Sequence, residues 1–130
     1  MKDVRYLTLD ELLVIHDNMV ELYGGSFGVR DLGLIQSALA RPQATFGGED
    51  LYPMAWDKAA ALLQSMTMNH PFLDGNKRTA YETMKRFLYM NGYAIKTSQK
   101  EIVRMCVAVD NEGWGIKEIV GWLKKHAVAI

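Results

Sequence analysis

Apolar residues recur along this chain mostly at three- and four-residue intervals, the spacing of one face of an α-helix. Leu9, Leu12, Leu13, Ile15, Met19 and Leu22 form the first such series. Thr8-Leu9-Asp10-Glu11 before it reads as a capping box, in which a hydroxyl and a carboxylate satisfy the free amides of a helix start. Gly24-Gly25 stops this helix. After the glycine-rich SFGVRD stretch a shorter helix carries Leu32, Ile35, Ala38 and Leu39, and Pro42 ends it. Residues 43–52 read as a loop around Gly47-Gly48.

From about Pro53 to Asn69 the pattern is apolar on several sides, through Trp56, Ala59, Ala60, Leu62, Leu63 and Met66. That breadth predicts a central, buried helix. HPFLDGN interrupts it, and the next helix runs from about Lys77 to Asn91 with Ala80, Met84, Phe87 and Leu88 inward. Tyr93 to Lys96 reads as extended and too short to found a sheet. Ser98-Gln99-Lys100-Glu101 is a second capping-box sequence, opening a helix to about Asp110. Gly113 and Gly115 separate it from a last helix with Ile116, Ile119, Val120, Trp122 and Leu123. With no set of alternating strands, the expected fold class is all-α: one domain over residues 1–130, a bundle of about six helices.

Composition narrows the function. Hydrophobic residues make up 49 % and charged residues 23 % of the chain, a globular composition. Fifteen Lys and Arg balance fifteen Asp and Glu, which argues against a protein that coats nucleic acid or an anionic membrane. Cys106 is the single cysteine, so no internal disulfide or cysteine zinc site is expected, and Met105 and Val107 beside it predict a buried, inert thiol. The N-terminal stretch, broken by Asp3, Asp10 and Glu11, does not read as a signal peptide, and no apolar run reaches membrane-spanning length. A cytoplasmic setting is expected.

The chemistry concentrates between His70 and Thr79, in HPFLDGNKRT. Helix N-termini favour anions, so Lys77 and Arg78 in the first turn of a helix are out of place unless an anion joins them. Gly75 lets a backbone approach such an anion closely. Asp74 is placed to hold Mg²⁺, a cation that commonly takes one or two carboxylates plus phosphate oxygens. His70 suits proton transfer near neutral pH. Phe72 anchors the loop in the core. Taken singly, the histidine reads as a helix-ending residue and the cations as a solvated face; together they are the parts that phosphoryl or nucleotidyl transfer requires. The upstream glycine and strand of a P-loop are missing. His16 and His126 receive no catalytic role, Trp56, Trp114 and Trp122 read as core or interface, and Arg30-Asp31 belongs at the rim of the site or outside it.

HPFLDGNKRT resembles the signature of the Fic/Doc superfamily, H-x-F-x-[DE]-G-N-[GK]-R, and more narrowly that of the death-on-curing (Doc) toxins. Tyr23-Gly24-Gly25, Gly28-Val29-Arg30-Asp31-Leu32-Gly33-Leu34 and Ser37-Ala38-Leu39-Ala40-Arg41-Pro42 extend the likeness over nearly the whole chain. Adenylylating Fic proteins end the motif G-N-G-R-x-x-R, whereas Lys77 replaces the second glycine here and Tyr81 the last arginine. The resemblance therefore implies a toxin kinase that moves the γ-phosphate of ATP to a threonine of translation elongation factor Tu and arrests translation. It implies His70 as base, Asp74 on Mg²⁺, Gly75 and Asn76 on phosphate, and Lys77 and Arg78 neutralising the transferred group. Thr97 to Glu101 fails as an in-chain inhibitory motif because Ile102 follows it, so a Phd-like antitoxin, folding as a helix into a groove, is the implied inhibitor. Transfer of AMP, or a non-catalytic helical binding module, are the competing readings. No direct contact with nucleic acid or membrane is expected.

Overall fold

The computed structural model describes residues 3–130. Six α-helices carry it: α1 (Leu9–Tyr23), α2 (Leu32–Ala40), α3 (Ala55–Asn69), α4 (Asn76–Met90), α5 (Gln99–Asn111) and α6 (Ile116–His126). Four short strands complete it: β1 (Thr45–Phe46), β2 (Glu49–Asp50), β3 (Tyr93–Ile95) and β4 (Ala127–Ala129). The all-α expectation holds, with only short strands beside the helices. One apolar core draws on all six helices, through Leu12, Ile35, Leu63, Met84, Met105 and Leu123 among others.

α3 is the centre of that core. Lys58 through Leu63, with Ser65, Met66 and Thr67, are buried, so nearly its whole circumference is covered. Ala59, Ala60 and Ala61 keep the helix thin enough for α4 and α6 to approach it closely. The α1 start matches its sequence signature: the Thr8 hydroxyl accepts the Glu11 amide at 3.2 Å and the Glu11 carboxylate accepts the Thr8 amide at 3.0 Å. Its buried stripe differs from the expected one. Leu12, His16 and Val20 face the core, whereas Leu22 is exposed.

Two ribbons depart from expectation, one in the loop expected at 43–52 and one at the lone extended stretch expected at 93–96. Residues 45–50 form an antiparallel hairpin whose turn is Gly47-Gly48, with φ of 60° and 82°. Paired left-handed residues match the right-handed twist of a two-residue hairpin, and two glycines adopt them without strain. The other ribbon pairs β3 with β4, Tyr93 opposite Ala129 and Ile95 opposite Ala127. Residues 93–95 therefore do join a sheet, with a partner over thirty residues away that carries no alternating pattern of its own. The second capping box is half made: the Ser98 hydroxyl accepts the Glu101 amide at 3.2 Å, but the Glu101 carboxylate turns to Arg104 and Trp122 instead.

Candidate active site

The motif loop spans the gap between α3 and α4. His70 caps α3 in the left-handed conformation, φ 47° and ψ 59°, the one non-glycine residue with positive φ among those described. Histidine tolerates this better than branched residues, yet the conformation needs support from its surroundings. Arg30 supplies it: Nε donates to the His70 carbonyl at 2.7 Å and a terminal nitrogen donates to the Asn69 carbonyl at 2.6 Å. The same strand-like segment holds the next residues, since the Arg30 and Asp31 amides donate to the Pro71 carbonyl at 2.8 and 3.0 Å. The Leu73 amide donates back to the Gly28 carbonyl at 3.2 Å. Arg30 thus belongs to the structure of the site, where it grips the backbone of the histidine.

Phe72 anchors the loop as expected, fully buried. Its partner is His16 on α1, stacked at 3.7 Å with the rings 6° from parallel. His16 Nε2 also lies 2.8 Å from the Asp74 carbonyl. A carbonyl only accepts, so Nε2 carries the proton and donates. His16 therefore has a task that sequence reading withheld from it: it pins the two ends of the loop to the first helix. The sole hint was an imidazole at the middle of an apolar stripe.

Asn76 is likewise turned inward. Its side-chain oxygen accepts the Phe72 amide at 2.9 Å and its nitrogen donates to the Phe72 carbonyl at 3.0 Å. Both functions of this side chain thus help close the loop, and its nitrogen keeps a second hydrogen for a further acceptor. Asp74 sits against the α1–α2 connection, where its carboxylate accepts the Ser26 amide at 3.1 Å and the Gly75 amide at 3.2 Å. A β-carbon on Gly25 would come within 2.9 Å of that carboxylate, so the second glycine after α1 makes room for Asp74.

α4 opens at Gly75, also left-handed with φ 72°, and no side chain caps it. The amides of Asn76, Lys77 and Arg78 precede the first bond of the helix, from Thr79 to the Gly75 carbonyl at 3.0 Å. They form a donor nest suited to phosphate oxygens. The two cations beside it are not unpartnered, as the sequence argument supposed. Lys77 Nζ lies 3.2 Å from a carboxylate oxygen of Asp110 on α5, and the Arg78 guanidinium lies 4.1 Å over the Tyr23 ring. The other Asp110 oxygen is 3.7 Å from His70 Nε2, beyond hydrogen-bond range. His70 keeps half its side chain in solvent. So the structure brings His70, Lys77, Arg78 and the nest together, and adds Asp110.

A hollow of about 280 Å³ opens beside Lys77 and Arg78, walled by Tyr23, Tyr81, Ile102 and Cys106. Burial pushes the Cys106 thiol up to about 11, so it is inert as expected. Burial, with Glu82 close by, likewise holds the Tyr81 phenol in its neutral form. Among the described residues no group of three or more His, Cys, Asp or Glu side chains gathers as a ready-made metal site. None of the helices is long and apolar enough to cross a membrane.

The Fic/DOC family pattern matches residues 6–88, which include every element of this loop. The chain belongs to the Fic/DOC family. It is similar to the protein named Toxin Doc of Mycolicibacterium smegmatis, 59 % identical over 70 residues that make up 54 % of each chain. It is also similar to the protein named Protein kinase doc of Escherichia phage P1, 32 % identical over 92 residues, 71 % of this chain and 72 % of that one. The matched segment spans about half the length of Toxin Doc. The Doc-type likeness read from HPFLDGNKRT is therefore borne out by relatives of that name. In this family member the loop is a rigid frame, clamped by α1 through His16 and by residues 28–31, with the imidazole and the α4 amides on its outer side.

Proposed function

We propose that the protein is the toxin of a toxin–antitoxin pair and works as a protein kinase, moving the γ-phosphate of ATP to a threonine hydroxyl of translation elongation factor Tu and so arresting translation. The observation that carries this reading is the uncapped α4 N-terminus, flanked by Lys77 and Arg78 and six residues after a half-exposed imidazole. The names of the relatives, toxin and protein kinase, support it. Lys77 where adenylylating Fic proteins carry glycine, and a buried tyrosine at position 81 in place of their last arginine, favour phosphoryl over AMP transfer.

In this scheme His70 takes the proton of the attacking hydroxyl as its oxygen bonds to the γ-phosphorus and the bond to the ADP oxygen breaks. The amides of residues 76–78 hold phosphate oxygens, and Lys77 and Arg78 offset charge on the transferred group. Asp74 fits a Mg²⁺ ion: each of its bonds to an amide fixes the carboxylate and leaves lone pairs free, and one carboxylate is enough when phosphates supply the other oxygens. The metal would supply charge neutralisation of the polyphosphate. Inhibition would come from an antitoxin helix in the trough between α1 and α4. There a hollow of about 980 Å³ has Val14, Ile15 and Tyr93 in its lining, with Glu11 on one flank and Lys85 and Arg86 on the other. It shares Met19 and Glu82 with the hollow beside Lys77, so one helix laid along it reaches the site.

The test is label transfer. Purified protein, elongation factor Tu and Mg²⁺ are incubated with ATP labelled at the γ or the α position. Label on a threonine from the γ position alone is the expected result; label from the α position sinks the kinase reading in favour of AMP transfer.

A further inference from the structure

α5 ends with a residue out of place. Asp110 lies in its last turn, where the helix dipole is negative, and no basic residue accompanies it there. α4 begins with the opposite anomaly, Lys77 in a first turn that holds no acidic residue. The two anomalies answer each other, since the ammonium and the carboxylate meet at 3.2 Å. The carboxylate is mostly buried and its second oxygen faces His70 Nε2. One side chain on a helix outside the motif therefore stands between the candidate base and the candidate phosphate-neutralising cation.

We propose that Asp110 is a positioning residue that competes with phosphate for Lys77. The inference rests on the kinase reading for its catalytic part alone. With Asp110 present, the ammonium stays at the His70 side of the nest rather than settling on the ground-state phosphates. Its attraction is then drawn out as charge builds on the phosphoryl group in transfer, and interactions made in the transition state but not the ground state raise turnover. Removing the carboxylate frees Lys77 to grip bound phosphate early. Binding tightens and turnover falls.

Calorimetry with inorganic tripolyphosphate reads the first half without nucleoside or acceptor protein. Asp110→Asn is expected to bind it about threefold more tightly than the parent, the scale of a partly exposed ion pair. In a Lys77→Met background the same change is expected to do nothing. Equal or weaker binding by Asp110→Asn, or an equal gain without Lys77, overturns the proposal. Should Asp110→Asn not fold, Asp110→Ser enters the same cycle with the same two readings. For the second half, transfer from γ-labelled ATP to elongation factor Tu is followed. Asp110→Asn is expected to lower kcat and KM for ATP together, and Asp110→Glu to restore both; a fall in kcat with unchanged or raised KM overturns the proposal. A parent that transfers nothing from the γ position defeats the kinase reading alone, because the tripolyphosphate cycle stands apart from it.

Discussion

At the scale of single residues, the motif loop divides into groups that build it and groups that face outward. Phe72, Asn76, His16 and Arg30 spend their bonds on the loop itself. His70, Lys77 and Arg78 keep their working ends exposed to the site. Sequence reading identified the outward group and Phe72, because an unusual charge at a helix start and an aromatic amid polar residues are local signals. The loop-closing bonds of Asn76 and the tasks of His16 and Asp110 were not legible, and Arg30 could be placed only at the rim of the site or outside it. The partners of His16, Arg30 and Asp110 lie tens of residues away. His70→Ala is expected to slow transfer by about 10²–10⁴-fold, the usual share of a positioned base, measured as single-turnover label transfer. The left-handed backbone at this position adds a constraint. Asparagine accepts that conformation well, so His70→Asn should match His70→Ala in lost activity while melting at a higher temperature.

At the scale of elements, helices were legible wherever their ends carried capping chemistry, and α1 agrees with its signature to the residue. The ribbons were not legible, since two- and three-residue strands hold too few positions to show alternation. The hairpin β1–β2 is fastened by a buried ion: Lys58 of α3 donates to the Asp50 carboxylate at 3.2 Å and to the Tyr52 carbonyl. Removing one partner of a buried pair strands a charge, whereas replacing the buried cation itself by an apolar chain does not. Asp50→Ala should therefore cost about 1–3 kcal/mol in urea unfolding, and Lys58→Met clearly less. At the α5–α6 contact, Arg104 and then Trp122 donate to Glu101 and hold its carboxyl down from 4.5 to about 2. A depressed acid stabilises the fold above its unfolded value. That contribution is whole above pH 4.5 and fades as pH falls toward 2. Melting temperatures of Glu101→Gln should thus lie below the parent at neutral pH and converge with it near pH 2.

For the whole molecule, the balance of fifteen cations and fifteen anions conceals how they are arranged. Fold class, a central α3 and the motif loop followed from pattern and motif; the frame around the loop came from tertiary pairings that no short window records. One of those pairings reaches further than its size indicates. β4 clasps β3, and Tyr93, Ala94 and Ile95 wall the large hollow between α1 and α4. β4 is thereby a buttress behind the surface proposed for an antitoxin helix, on ground that the motif loop does not line. Deleting residues 127–130 should slacken that wall. Inhibitor control would then loosen ahead of any loss of catalysis, leaving an enzyme still able to act and harder to silence.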